Sequence, residues 1–275
     1  MKDILRGSIL ILAVSGLLLF INHELNEGSK SSKDTIHVYN WGEYIDPKLL
    51  KQFEQETGIK VIYETFDSNE GMMGKIEQGG TAYDITVPSE YMIEMMKEKD
   101  LLLPLDKSLL PNFKNLDPYF LDLPFDPDNE YSIPFFWGTL GIAFNPTLLD
   151  GQTFDSWEAL WDPALSQKVI LVDSARETIG MSLNSLHYSL NSTDEQELTE
   201  AVDKLLTLKP NVKAIIGDEV TQLMINKEAS VALTWSGQAA DMMDENEDID
   251  YIVPEEGSNL WFDNVVIPKT ASNIE

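Results

Sequence analysis

Two carboxylates stand one helical turn apart, directly after a short apolar segment of the chain. Asp173 and Glu177 follow Val169–Val172, which has the composition of a buried strand. Paired carboxylates at a strand end can perform acid/base work on a glycoside, and the same pair can hold a cation. The spacing is also typical of a helix start, with Asp173 or Ser174 capping the first turn. The pair alone therefore leaves an enzyme, a cation site and a structural cap open.

Aromatic side chains at predicted strand ends form a second pattern, because each has an acid or a hydroxyl nearby. The four points are Trp41 with Glu43 and Tyr44, Ser89 with Glu90 and Tyr91, Trp235, and Trp261 with Asp263. Ligands of open parallel α/β sheets bind outside the carboxyl ends of the strands. Indole faces attract ammonium groups by about 0.5–2 kcal/mol each, and carboxylates add charge-assisted hydrogen bonds. The pattern favours a box for an organic cation over four separate core residues.

The sequence contains no motif for thiol chemistry or for a metal site. The chain has no cysteine, which excludes disulfides, thiolate catalysis and thiolate metal sites, and its three histidines are far apart in sequence. Asp126, Asp128 and Glu130 alternate as in a calcium loop, but the central glycine and distal glutamate of an EF-hand are missing, so we interpret them as a solvated turn. We predict neither a metal nor a cofactor.

The composition narrows the class of partner. The 275 residues include 47 acidic and 19 basic side chains, for a formal net charge of -28 and an isoelectric point near 4.2. This charge repels nucleic acid and anionic lipid and attracts cations. Hydrophobic residues make up 43% of the chain, which is enough for a real core and excludes bulk disorder.

The N-terminus has the pattern of an export segment. Lys2 and Arg6 precede an apolar run over residues 7–21, which is as long as a signal-peptide core and short for a membrane span. No small-x-small cleavage site follows, and no cysteine is present for lipidation. A cleaved signal and an N-terminal anchor with a tether over residues 22–34 both remain open, and either places the rest of the chain outside the cytoplasm.

The elements that must position these residues alternate between short apolar runs and amphipathic helical patterns, which predicts βαβ units in an α/β fold. The predicted strands are 36–41, 60–64, 85–87, 133–144, 169–172, 212–216, 231–234, 249–253 and 260–267. The predicted helices are 47–57, 69–78, 92–99, 179–188, 194–206, 220–226 and 238–246. Residues 106–131, rich in Pro, Asp and Asn, predict an ordered loop with short helical turns.

Six segments in order resemble one known family. They are YNWGEYI at 39–45, FDSNE at 66–70, YDITVPSEY at 83–91, YSIP at 131–134 with WG at 137–138, ARE at 175–177 and LWFDN at 260–264. Together they resemble the spermidine/putrescine-binding component of bacterial polyamine ABC importers. The resemblance covers residues 35–275. Because family members continue well past the equivalent of residues 265–269, we expect a C-terminally truncated member.

The resemblance implies a two-lobed type II periplasmic-binding-protein fold with mostly parallel sheets and hinge crossings near 137–141 and 260–262. Residues 35–138 plus 262–275 would form lobe 1, residues 139–261 lobe 2, and residues 1–34 the signal or anchor and tether. It implies an extracytoplasmic binding protein without catalytic activity, which holds a polyamine between its lobes and delivers it to the permease subunits of an ABC transporter. We expect a monomer that does not bind nucleic acid.

The resemblance also assigns site residues. Trp41 and Trp261, with Trp235 as a third wall, would flank the methylene chain of the ligand. The carboxylates would be Glu43, Glu177 and Asp263, and the polar partners near one end Tyr44, Ser89 and Tyr91. Ser174 stands where the family can carry an acid, and Gly42 where it commonly carries a hydroxyl. These two departures leave the preference between a triamine and a diamine open.

Two alternatives from other classes remain beside this expectation. A glycoside hydrolase would use Asp173 and Glu177 on a sugar. A binding protein of the same fold could take another cationic solute, such as a cationic amino acid. An anion site would need arginines and helix N-termini rather than these acids. For the polyamine hypothesis, an unpaired buried carboxylate is costly, so the lobes should close only when the cations arrive.

Overall fold

The computed structural model describes residues 35–42 and 44–274. Within them the chain forms two compact units: unit 1 ends at Ile133 and resumes at Val265, and unit 2 runs from Pro134 to Asn264. The predicted lobe boundaries at 138–139 and 261–262 stay a prediction. The predicted signal or anchor and the candidate ligand Glu43 lie outside the described residues.

Unit 1 contains a small sheet with helices between its strands. Its strands are β1 (Thr35–Trp41), β2 (Lys60–Phe66) and β3 (Ile85–Thr86), and its helices are α1 (Pro47–Thr57), α2 (Asn69–Gln78) and α3 (Glu90–Glu98). β1 pairs in parallel with both β2 and β3, and Thr86 pairs antiparallel with Val266. The carboxyl ends of β1 and β3 therefore lie at one edge of the sheet.

The local sequence explains where these elements begin and end. Asp46 caps α1 by accepting a hydrogen bond from the Lys48 backbone N–H, and Pro47 occupies the first turn, where a missing N–H costs nothing. Gly58 ends α1 in the left-handed region at φ 74°. The Ser68 side chain accepts from the Gly71 N–H at the start of α2. These caps confirm the helix boundaries predicted for 47–57 and 69–78.

The predicted loop over residues 106–131 is confirmed as a series of short 3-10 turns, at Lys107–Leu109, Phe113–Asn115, Pro118–Phe120 and Pro127–Asn129. The solvated-turn interpretation was wrong for Asp126, which is only 1% exposed. Its carboxylate accepts from the Ser132 hydroxyl at 2.7 Å and lies 3.4 Å from the Lys97 ammonium. Asp126 is buried because these partners satisfy it.

A buried carboxylate ties the last described residues to the sheet of unit 1. Asp84, 2% exposed, accepts from the backbone N–H groups of His37, Ser272 and Asn273, each at 2.9 Å. We call this arrangement the Asp84 clamp. It joins β1 to a segment that is more than two hundred residues away in sequence.

A lysine side chain lies over two stacked tyrosine rings in the same unit. The rings of Tyr39 and Tyr83 stack with centroids 4.4 Å apart, and the Lys75 ammonium lies 4.7 Å and 5.1 Å from them. Glu64 accepts from Lys75 at 3.0 Å and from the Tyr83 hydroxyl at 2.8 Å. Hydrogen bonding with Tyr83 and Glu64 raises the pKa of Lys75. We call this group the Lys75 cage.

Unit 2 is built on a mixed sheet. Its strands are β4 (Ser132–Phe144), β5 (Val169–Val172), β6 (Val212–Ile216), β7 (Val231–Trp235), β8 (Asp250–Ile252) and β9 (Leu260–Val266), of which β4 and β9 extend by two residues into unit 1. The order is β4-β7-β5-β6, with β8 paired to β4. β5 is parallel to β6 and β7, and β4 is antiparallel to β7 and β8.

The helices of unit 2 are α4 (Ala175–Ser185), α5 (Glu195–Leu208), α6 (Glu219–Ile225) and α7 (Ser236–Glu245). The predicted start of α4 at residue 179 was wrong, because Ser174 caps the helix and the first turn begins at Ala175. All four residues of β5 are buried, as expected for an interior strand between helices. Its Val169 packs in a core cluster with Trp157 and Leu233, both fully buried.

Candidate functional site

Trp41, at the carboxyl end of β1, is fixed by its neighbours in unit 1. Its indole N–H donates to the Val87 carbonyl at 2.9 Å, and its ring lies 4.5 Å from Phe66 and 6.3 Å from Tyr44, centroid to centroid. Val87 follows β3, which runs parallel to β1, so the sheet brings both to one edge. The indole is half-buried, and its N–H is engaged by the Val87 carbonyl.

The loop after β3 is held by the first residues of α2. The Ser89 N–H donates to Asn69 Oδ1, and Asn69 Nδ2 donates to Ser89 Oγ, both at 3.0 Å. The Tyr91 hydroxyl donates to Glu70 Oε1 at 3.1 Å. Asn69 and Glu70 therefore position two predicted site residues, yet the sequence analysis did not assign them to the site. Both residues belong to the FDSNE segment, one of the six that carry the family resemblance, and that membership was the only sign of their role.

Glu177 is the central carboxylate of the candidate site in unit 2. Its side chain lies in the first turn of α4 and is only 7% exposed. Its Oε1 accepts from Asn259 Nδ2 at 2.9 Å and from Trp235 Nε1 at 3.4 Å. Trp235 ends β7 and α4 follows β5, and these two strands are parallel neighbours. The predicted proximity of these strand-end residues is therefore explained by the sheet.

Ser174 has the capping role that the sequence left open. Its Oγ accepts from the Glu177 N–H at 3.4 Å at the start of α4. Asp173 is exposed, whereas Glu177 is buried, so the two carboxylates have different environments. Of the two candidate caps, Ser174 rather than Asp173 caps the helix.

Trp261 and Asp263 lie on β9. The Trp261 ring packs against Gly138 so closely that an added Cβ there would lie 2.5 Å from the ring and 2.5 Å from Ser236 Oγ. The Trp261 Nε1 is buried, and none of the described residues accepts its hydrogen. Asp263 is 3% exposed. The structure thus places an indole and a carboxylate two residues apart on one strand.

A small pocket, with only about 10 Å³ of space for the centre of a water molecule, lies beside Glu177 within unit 2. Arg176, Asn184 and Asn259 contribute its polar lining, and Trp157 is among the apolar residues. The cavity extends from the candidate carboxylate towards the buried face of α4, where Asn184 is 7% exposed. It therefore adjoins the packing that supports Glu177.

The pKa of Tyr251, on β8, depends in part on the charge of Glu177. Burial raises the pKa of Tyr251 to about 12, a hydrogen bond with Thr139 opposes the rise, and the Glu177 carboxylate adds to it. The Tyr251 hydroxyl lies 3.0 Å from Thr139 Oγ1. The sequence analysis did not single out Tyr251, because it belongs to no motif.

The described part of the chain contains no group of three or more His, Asp or Glu side chains that could hold a metal ion. In the same part, no helix has both the length and the apolarity needed to cross a membrane.

Two α/β units joined by two chain crossings, with aromatic and acidic side chains at their strand ends, define the class. This is the type II periplasmic-binding-protein fold. The periplasmic binding protein AfuA of Actinobacillus pleuropneumoniae has the same fold at a TM-score of 0.72, with 20% identity over 88% of this chain and 76% of that one.

The sequence comparisons identify the family. The model of the bacterial extracellular solute-binding protein family matches residues 48–275, and the chain belongs to that family. The spermidine/putrescine-binding periplasmic protein of Salmonella typhimurium is 41% identical over 246 residues, which is 89% of this chain and 71% of the relative. The putrescine-binding periplasmic protein PotF of Escherichia coli is 35% identical over 94% of this chain and 76% of its own.

Solved structures agree with this family. A Listeria monocytogenes protein is 60% identical with a TM-score of 0.85, covering 88% of this chain and 74% of that one. The spermidine/putrescine ABC transporter substrate-binding protein PotD of Streptococcus pneumoniae is 55% identical with a TM-score of 0.73, over 87% and 74%. These relatives are solute-binding proteins, and the curated relatives named above are periplasmic.

Proposed function

We propose that the protein is the polyamine-binding component of an ABC importer and takes spermidine or putrescine as its ligand. The observation that carries this proposal is the buried Glu177 carboxylate beside the Trp235 indole, in a family whose named relatives bind these amines. A carboxylate removed from water to this degree is stabilised strongly when an ammonium neutralises it. An aromatic neighbour adds attraction to the same cation.

The proposed ligand contacts combine apolar walls with carboxylates. Trp41 and Trp261, with Trp235, supply apolar walls for the methylene chain, and Glu177 and Asp263 bind the amino groups. Glu43 is the third proposed carboxylate for the amino groups, and Tyr44, Ser89 and Tyr91 supply polar contacts near one end. A linear polyamine carries cations at fixed intervals along an apolar chain, so alternating walls and carboxylates match it better than a sugar or an anion.

Transport follows from binding and needs no chemistry on the ligand. Binding of the polyamine would favour a form of the protein that the permease subunits recognise. The protein would work as a monomer outside the cytoplasm, held there or exported by residues 1–34. The acidic surface would gather polycations, and this effect weakens as salt is added.

Calorimetric titration of the purified chain with spermidine, putrescine, a cationic amino acid and a sugar tests the proposal. We expect heat and thermal stabilisation with at least one polyamine and neither with the sugar. A folded sample that responds to neither polyamine would contradict the proposal. A response to the amino acid alone would assign the same fold to another cationic solute.

Substitutions test whether the proposed carboxylates contribute to polyamine binding. Glu177→Gln and Asp263→Asn each remove a negative charge from the proposed site and should weaken polyamine binding at least about tenfold, which is roughly 1.4 kcal/mol. Asp173→Asn is the matched control, because it neutralises an exposed acid only four residues from Glu177 and should leave affinity unchanged. Unchanged affinity in either test variant would remove that residue from the site.

A further inference from the structure

We infer that Asn259 is a positioning residue for polyamine binding, acting through its hydrogen bond to Glu177. Its amide fixes the carboxylate in the orientation that receives the ammonium. This inference rests on the proposed function and adds a residue to which the resemblance assigned no role.

The 254–259 loop, between β8 and β9, is fastened to the core of unit 2. The Gly257 carbonyl accepts from Trp157 Nε1 at 2.8 Å and from Asn184 Nδ2 at 3.1 Å. The Glu256 carboxylate accepts from the Trp157 backbone N–H at 3.1 Å and 3.2 Å. Gly257 itself has φ 94°, a conformation that favours glycine. The loop is therefore rigidly placed before it reaches Asn259.

The backbone at Asn259 is fixed to β4. The Asn259 carbonyl accepts from the Leu140 N–H at 3.1 Å, and the Ser258 hydroxyl donates to the Leu140 carbonyl at 2.6 Å. The Asn259 side chain is 8% exposed. A buried amide on a fixed backbone has few rotamers available, so its Nδ2 is aimed at Glu177 before any ligand arrives.

Helix α4 forms two side-chain hydrogen bonds with the same loop. Glu177 and Asn184 are seven residues apart, so they lie on one face of the helix. Asn184 donates to Gly257, and Glu177 accepts from Asn259. The two contacts hold the first turn of α4, and hence the carboxylate, at a defined place beside the loop that leads into Trp261.

The chemistry of the contact suits a cation site. The Asn259 amide donates at 2.9 Å without bringing a positive charge, so it orients the Glu177 carboxylate and leaves its negative charge in place. A lysine or arginine at this position would instead neutralise the charge that the ligand must meet. The other ionisable groups near Glu177 are Arg176, which lines the same cavity, and Tyr251, whose hydroxyl responds to the Glu177 charge.

A double-mutant cycle tests the inference. Asn259→Leu keeps the approximate volume and removes the donor, and it is combined with Glu177→Gln. Calorimetry gives the affinity of the four proteins for putrescine and spermidine. We expect Asn259→Leu to weaken binding about tenfold in the wild-type background and less than about twofold in the Glu177→Gln background, because its effect passes through the carboxylate.

A merely structural role would reduce affinity by the same factor in both backgrounds, and that result, or no effect at all, would overturn the inference. Asn246→Leu is the matched control: its amide also donates a hydrogen bond, but to the Ile225 carbonyl, at 3.0 Å, and its loss should leave affinity unchanged. Thermal unfolding confirms folding of each variant, and Asn259→Ala replaces Asn259→Leu if the latter does not fold. A folded wild-type protein that binds neither polyamine would overturn the proposed function itself, and this inference with it.

Discussion

At the scale of single residues, Glu177 and Tyr251 form an electrostatic pair that reports on the candidate site. Burial is the main cause that raises the pKa of Tyr251 to about 12, and the Glu177 charge raises it further. The folded state therefore keeps this phenol protonated above the ordinary value of 10.0, at which the unfolded state ionises. Tyr251 contributes stability below pH 10 that is lost as the pH rises towards 12.

Neutralising Glu177 should change this titration. In Glu177→Gln the phenolate of Tyr251 is no longer repelled by a carboxylate, so the pKa of Tyr251 falls below about 12. Ultraviolet absorbance titration measures the change, with the Tyr251→Phe counterpart of each protein subtracted to remove the other tyrosines. Asp173→Asn is the control and should leave the pKa of Tyr251 in place. If the pKa of Tyr251 is the same in the wild type and in Glu177→Gln, the Glu177 carboxylate has no electrostatic effect on Tyr251.

At the scale of elements, the packing of β4 against the Trp261 ring depends on the absence of a side chain at Gly138. A methyl group there would lie 2.5 Å from both the ring and Ser236 Oγ, so both contacts must be relieved. Ser236 is held, because its hydroxyl oxygen accepts from the Thr139 N–H at 3.1 Å. Relief of both contacts therefore strains this hydrogen bond and displaces the indole, one of the proposed walls for the ligand.

Gly138→Ala should lower the free energy of unfolding by about 1–3 kcal/mol through overpacking and weaken polyamine binding by displacing Trp261. Urea denaturation and calorimetry measure the two effects. Gly237→Ala is the matched control, since nothing lies within 4 Å of its added Cβ at the start of α7. That variant should keep its affinity and be at least as stable. Full affinity in Gly138→Ala would show that Trp261 is not a wall of the site.

Most elements could be predicted from the sequence because periodicity and caps are local properties. The pattern at the strand ends singled out the candidate ligand residues, the resemblance gave them roles, and their assignment stays a prediction. The supporting contacts could not be predicted in this way: Asn259 lies 82 positions from Glu177, and Asn69 lies 20 from Ser89. The burial of Asp126 was missed for the same reason, because its Lys97 partner belongs to α3 and is 29 residues away.

At the scale of the whole molecule, unit 1 depends on a contact between distant parts of the chain. The Asp84 clamp gathers N–H groups from His37 at one end of the described chain and from Ser272 and Asn273 at the other. Hydrogen bonds to a charged acceptor contribute about 1.5–3 kcal/mol each, and buried donors left without an acceptor are costly. The clamp is therefore a main determinant of the stability of this unit.

Asp84→Asn should lower the free energy of unfolding by about 2–4 kcal/mol, because an amide cannot accept on both of its atoms. Thermal and urea unfolding measure the loss. Glu94→Gln, which neutralises an exposed acid in the same unit, is the control and should change stability little. Equal unfolding midpoints for Asp84→Asn and Glu94→Gln would contradict the role given to the clamp.

The Lys75 cage has a consequence for the number of amines that the chain would bind. Its two tyrosine rings and its carboxylate are the same ingredients that would receive an amine, yet the ammonium they hold belongs to the protein. A tethered cation competes at an effective concentration in the millimolar range or above, so a free polyamine at lower concentration cannot displace it. Lys75 thus occupies this second set of amine-binding groups itself, so we expect the chain to bind one polyamine rather than two.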